Sequence, residues 1–214
     1  MKFLNFNKIL CLSPHPDDVE YGMLGTILKY VDTEFHILSL TNGGKYDITV
    51  EGDSRLKEIK EVWSSAELSN AKIYFTEHQH FSATQEDGWI NLIEKRYTKK
   101  NNYDAIMLPS INDSHFEHRY VSGFGPALCR VSSISLIEYA TPSALQEWSP
   151  NLYVDIKKVY KTKKDLLKKF TSQQKRSYFS DSTINGFHTD FQCSKKGLSV
   201  VEKFRIVSAY VTEV

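Results

Sequence analysis

Short apolar runs rich in β-branched and aromatic residues recur along this chain with helix-period segments between them, and no other feature limits its fold as strongly. The runs are Ile9-Leu10-Cys11-Leu12, Phe35-His36-Ile37-Leu38-Ser39-Leu40, Lys72-Ile73-Tyr74-Phe75, Ala105-Ile106-Met107-Leu108 and Ile134-Ser135-Leu136-Ile137. Near-continuous hydrophobicity of this length reads as strands buried on both faces of a mostly parallel sheet. Val19 to Val31 carries Val19, Met23, Ile27 and Val31 four residues apart, and Arg55 to Leu68 carries Leu56, Ile59, Trp63 and Ala66. Both predict amphipathic helices. Strand-helix alternation through about residue 140 requires right-handed crossovers and a doubly wound α/β sheet between two helical layers. Ligands of such a sheet bind beyond the carboxyl ends of its strands.

After Pro142 the pattern changes to a loop with Trp148 and Pro150, an apolar run Leu152-Tyr153-Val154-Asp155-Ile156, a basic helix from about Lys158 to Phe170, a polar stretch, and a closing apolar segment from Val200 to Val211. No repeat or linker intervenes. The 214 residues therefore read as a single domain, 1–214, with 142–214 as a C-terminal covering segment.

With 27 Lys+Arg against 26 Asp+Glu the formal charge is +1, which recommends neither nucleic acid nor an anionic membrane as partner. The lysines between Lys157 and Lys169 alternate with Val159, Leu166, Leu167 and Phe170, so they predict the solvated face of an amphipathic helix. Asn5, Asn7 and Lys8 interrupt the apolar stretch that a signal peptide needs, and no apolar run approaches about 18 residues. Three dispersed cysteines, Cys11, Cys129 and Cys193, suit a reducing compartment. The expectation is a cytoplasmic protein without stable membrane insertion.

The chemistry concentrates in two places. In Pro14-His15-Pro16-Asp17-Asp18-Val19-Glu20, Pro16 fixes its own φ and keeps His15 out of the helical region, so His15 and Asp18 can project from a rigid strand-to-helix turn. Average residue usage gives His-Pro-Asp-Asp by accident in roughly one chain of this size in a thousand or fewer. The turn still admits two readings: Asp17 or Asp18 as an ordinary helix N-cap, or His15 and Asp18 as cation ligands. The second place is Asn112-Asp113-Ser114-His115-Phe116-Glu117-His118-Arg119, directly beyond the fourth apolar run. One imidazole and one carboxylate from the first segment with one imidazole from the second make a two-His, one-carboxylate set. Catalytic zinc uses such a set and so does non-haem iron, which leaves Zn2+ and Fe2+ both open. If Asp18 binds metal, Asp17 is free as a general base, and one of His115 and His118 remains as an acid or oxyanion donor. Asn42-Gly43-Gly44-Lys45 lacks the spacing of a nucleotide-binding glycine motif and reads as a tight turn at the crevice rim. His78 and His80 read as loop surface, and His36 as a strand histidine.

Pro14-His15-Pro16-Asp17-Asp18-x-Glu20 followed by His115-x-x-His118-Arg119 resembles the PIG-L / LmbE-like family of zinc-dependent N-deacetylases. Weaker matches follow in the family's order: Thr41-Asn42-Gly43-Gly44, Arg55-x-x-Glu58, Glu138 to Ser143, Ser149 to Ile156, Ser172-Gln173 and Val201-Glu202-Lys203-Phe204. The resemblance implies a Rossmann-like fold in which His15, Asp18 and His118 bind Zn2+, Asp17 is the general base, and His115 protonates the leaving amine or stabilises the oxyanion. It also turns Arg55, Glu77 and Asn42 toward the substrate. Many members carry His-Pro-Asp-His, whereas Phe116 and Glu117 stand between the histidines of this chain.

The function these readings imply is zinc-dependent hydrolysis of an N-acetyl group on an amino sugar or its conjugate; relatives of this kind often form homo-oligomers. Two alternatives remain beside it: hydrolysis of a non-sugar N-acyl amide, and a non-catalytic α/β module that binds a sugar nucleotide or phosphate.

Overall fold

In the computed structural model of the chain, which describes residues 1–43, 49–76, 78, 81, 86–130 and 133–210 (the backbone alone for 49–53 and 86–87), the five apolar runs form parallel strands. These are β1 (Lys8–Ser13), β2 (Glu34–Ser39), β3 (Ala71–Phe75), β4 (Ala105–Pro109) and β5 (Ser135–Tyr139). Between them run α1 (Asp18–Lys29), α2 (Thr49–Trp63), α3 (Glu86–Ile93), α4 (Phe116–Ser122) and α5 (Phe124–Cys129). The second helix starts ahead of the expected Arg55 and stops at Trp63, leaving Ala66–Leu68 as a separate 3-10 turn.

Alternate side chains of each strand serve opposite faces, and each face has its own core. Ile9, Cys11, Phe35, Ile37, Ala105 and Met107 pack with α1 residues Met23, Leu24 and Ile27. Leu10, Leu12, Leu38, Ile106 and Leu108 pack with Trp89, Ile93, Phe124 and Leu128 on the other side. That is the expected three-layer α/β arrangement.

The tail supplies β6 (Leu152–Asp155), α6 (Tyr160–Leu167), α7 (Asp181–Phe187), α8 (Phe191–Lys195) and β7 (Val201–Ser208). It does more than cover the sheet. β7 pairs antiparallel with β5 and β6 antiparallel with β7, giving the order β3-β2-β1-β4-β5-β7-β6. Strand order reverses between β1 and β4, where such sheets open a crevice. α1 is pressed close beside it, since a Cβ on Gly22 would lie 2.5 Å from the Ala140 carbonyl oxygen and 2.8 Å from the Tyr139 ring.

The solvated-face reading of the basic helix needs correction at Lys163. This residue lies on the same stripe as Val159, Leu166, Leu167 and Phe170 and is fully buried. Its ammonium donates to the Tyr21 carbonyl (2.6 Å), Glu202 Oε1 (2.6 Å) and His188 Nε2 (2.7 Å). Among the described residues no helix is long and apolar enough to cross a membrane, and Cys11, Cys129 and Cys193 are free thiols.

Candidate active site

The β1–α1 turn brings the first cluster to the crevice. The Asp18 carboxylate accepts from the His15 backbone N–H (2.8 Å) and lies 3.1 Å from His15 Nδ1, while its other oxygen is 3.2 Å from His118 Nε2. Asp18 thus stands between two imidazoles that come from different strand ends. The His15, His115 and His118 rings are mutual neighbours, His115 stacked on His118 at 4.5 Å, and one nitrogen of each falls within 4.8 Å of the others.

The far nitrogens of the two imidazoles are also held. Nδ1 of His118 is 3.0 Å from Oδ2 of Asp113, a fully buried carboxylate that also accepts from the His115 N–H (2.7 Å) and from the Thr141 hydroxyl. His15 Nε2 is 2.5 Å from Glu117 Oε2. Carboxylates placed behind imidazoles in this way fix ring orientation and raise the basicity of the exposed nitrogen. The sequence alone assigns no role to Asp113 and shows Glu117 only as a departure from a motif; the signal it offers is a carboxylate two residues before His115 and another one residue before His118.

Charge is concentrated here. Burial lowers the pKa of His118, but Asp18 and Asp113 raise it further, to about 10. Burial pushes Asp18 up, yet His118 and His15 hold it well below the usual carboxylate range. His115 is lowered by burial and by its two imidazole neighbours. It is the N-cap of α4, with Nδ1 accepting the Glu117 N–H (3.3 Å), so a neutral ring carries its proton on Nε2.

Asp17 faces the same cleft. Its Oδ1 accepts from Arg55 Nη2 (2.8 Å), which also donates to the Pro16 carbonyl (2.7 Å), while Arg55 Nη1 donates to the Gly43 carbonyl (3.2 Å). Gly43 has φ +69, and a side chain there would collide with that guanidinium. Arg55 is therefore spent largely on the turn. Asp17 Oδ2 is buried without a hydrogen-bond partner among the described residues. Asn42 is anchored through its N–H to the His78 carbonyl (3.0 Å), one residue from the cavity wall; Glu77, like His80, lies outside the described residues.

The cavity has a volume of about 680 Å3 and is lined by His15, Asp17, Asp18, His115, Glu117 and His118 on one side. Gln173, Arg176 and Tyr178 from the tail form the other. Glu58 secures that wall, accepting from Thr171 Oγ1 (2.7 Å), Ser172 N (2.8 Å) and Ser172 Oγ (2.7 Å). The donor set suits a divalent cation: an aspartate and two oriented imidazoles converge, with the carboxylates of Asp113 and Glu117 behind the imidazoles.

Residues 10–129, more than half of the chain, match the family model described as PIG-L: GlcNAc-PI de-N-acetylase. Diacetylchitobiose deacetylase of Thermococcus kodakarensis is 27% identical over 194 residues, spanning 80% of this chain and 72% of its own length. Among solved structures, N,N'-diacetylchitobiose deacetylase of Pyrococcus horikoshii, complexed with its inhibitor MPG, is 23% identical, with a TM-score of 0.75 over 96% of this chain and 85% of its own. The 4-carboxy-2-hydroxymuconate hydratase GalB of Pseudomonas putida has 15% identity and a TM-score of 0.77 over 97% and 99%. A deacetylase and a hydratase thus share this fold, and the fold by itself does not select the reaction.

Proposed function

The chain belongs to the PIG-L family, and on that premise we propose that it is a metal-dependent hydrolase that removes the N-acetyl group from an amino sugar or amino-sugar conjugate. One observation carries the reading: Asp17, with an unpartnered buried oxygen, meets the His15–Asp18–His118 donor set in one cleft. His15, Asp18 and His118 would hold the metal, which we take to be Zn2+ although Fe2+ uses the same donor set. When bound, such an ion polarises an acyl oxygen and brings the pKa of a water down to around 7.

The remaining roles follow from the side chains. Asp17 takes the proton of the attacking water on Oδ2, while Arg55 holds Oδ1 and keeps the carboxylate aimed at the cleft. Neutral His115 presents Nε2–H to the developing oxyanion or to the departing amine. A cavity of about 680 Å3 lies within the usual range for small-ligand sites. The similarity to diacetylchitobiose deacetylase supports an N-acetylhexosamine as the substrate unit.

The test is acetate release from N-acetylglucosamine, diacetylchitobiose, N-acetylglucosaminides and the UDP conjugate, with metal-replete, chelator-treated and Asp17→Asn protein. Turnover that needs the metal and vanishes in D17N is expected. Equal turnover in chelated protein, or native turnover in metal-replete D17N, overturns the mechanism. Absence of both acetate release and stoichiometric metal would instead favour a binding module. Release of other acyl groups alone would favour a non-sugar amidase.

A further inference from the structure

The backbone of Asp17 has φ 120 and ψ −21, a conformation that L-residues other than glycine avoid. Such a residue is strained and persists only where its surroundings over-determine it. Arg55 accounts for the Asp17 carboxylate and the Pro16 carbonyl. The Asp17 N–H is held separately: it donates to Glu20 Oε2 (3.1 Å), while Glu20 Oε1 accepts from the Trp63 indole N–H. Glu20 is fully buried and does not line the cavity. Trp63 and Arg55 stand eight residues apart on α2, two turns of helix that together grip the turn from outside.

From this geometry we infer that Glu20 is a positioning residue: braced by Trp63, it holds the Asp17 backbone in its positive-φ conformation and so keeps the carboxylate directed into the cavity. The inference rests on Asp17 being the base of the proposed reaction. In Glu20→Gln one carboxylate oxygen becomes an NH2, so either the Asp17 or the Trp63 N–H meets a donor in place of its acceptor, and the turn can relax toward negative φ with its carboxylate swung off the cleft. A misplacement of about 1 Å at a reacting group is enough to cost roughly 10²-fold in rate.

The experiment compares Glu20→Gln and Trp63→Phe with wild type and Asp17→Asn in the metal-loaded protein. It records kcat, KM, bound metal, urea midpoint and a crystal structure of each variant. For E20Q the expected result is a kcat lowered roughly 10- to 100-fold with KM within about twofold, unchanged metal content, and Asp17 φ relaxed from 120. W63F should move kcat in the same direction by less, and it serves as the test if E20Q does not fold. A folded E20Q with wild-type kcat overturns the inference, as does a loss explained wholly by lost metal. If wild type releases no acyl group, the proposed function fails and the crystal structures decide alone. Asp17 still at φ near 120 in E20Q overturns the positioning role, and relaxation supports it.

Discussion

Lys163→Met offers the sharpest test of how the tail is bound to the catalytic layer. The ammonium donates to three acceptors on three elements: the Tyr21 carbonyl of α1, Glu202 of β7 and His188 beyond α7. Methionine keeps most of the volume and removes the charge. Breaking one partner from a buried ion pair costs about 3–5 kcal/mol, because the other charge stays buried. Glu202 would keep three donors, the Gly25 N–H (2.7 Å), the Thr26 N–H (2.6 Å) and the Thr26 hydroxyl (2.6 Å), which argues for the lower end. About 3 kcal/mol corresponds to a fall in Tm of roughly 6–12 °C for a chain of this size. Urea unfolding at constant m reads it directly. A K163M protein within about 0.5 kcal/mol of wild type would refute the reasoning.

Other consequences concern the site. Asp113→Asn removes the anionic acceptor behind His118 and should weaken metal binding about 10- to 100-fold, measured by competition with a chromophoric chelator; native affinity would count against that role. Burial pushes Asp17 up to about 6 although Arg55 pulls it down. Because the base works ionised, kcat/KM should fall as pH drops through about 6 or below. Arg55→Met takes away the cation that depresses the pKa and should move that acid limb to higher pH, and a limb that stays in place contradicts the assignment. Gly22→Ala drives a Cβ onto the Ala140 carbonyl oxygen and the Tyr139 ring. It should cost roughly 1–3 kcal/mol by thermal or urea unfolding, and a neutral change would mean that α1 has room to shift.

Strands and crossover helices were legible because burial on both faces demands unbroken apolar runs, and because the helix period marks which side of α1 and α2 packs. The place of the site followed from fold geometry: His15 and His118 sit beyond the ends of β1 and β4, where the strand order reverses. Less could be read where one residue type supports two environments. Lys163 looks like any other lysine of a basic helix until the stripe of Val159, Leu166 and Phe170 is followed through it. Asp113 and Glu20 hold near neighbours in His115, His118 and Asp17, but they and Glu58 also reach Thr141, Trp63 and Thr171 far along the chain, and local pattern carries no record of those distant pairings. The strand pairing of β7 with β5 is likewise a non-local event that the alternation of Val201, Phe204 and Ile206 does not specify.

In the proposed mechanism Asp17 works beside a metal held by His15, Asp18 and His118. Titrating Zn2+ into metal-stripped protein while following bound metal and acetate release together tests it most directly. Both should rise in step to one metal per chain, and Asp18→Ala and His118→Ala should abolish the step. Full acetate release before any metal is added, or tight stoichiometric binding that survives in both variants, would contradict the account.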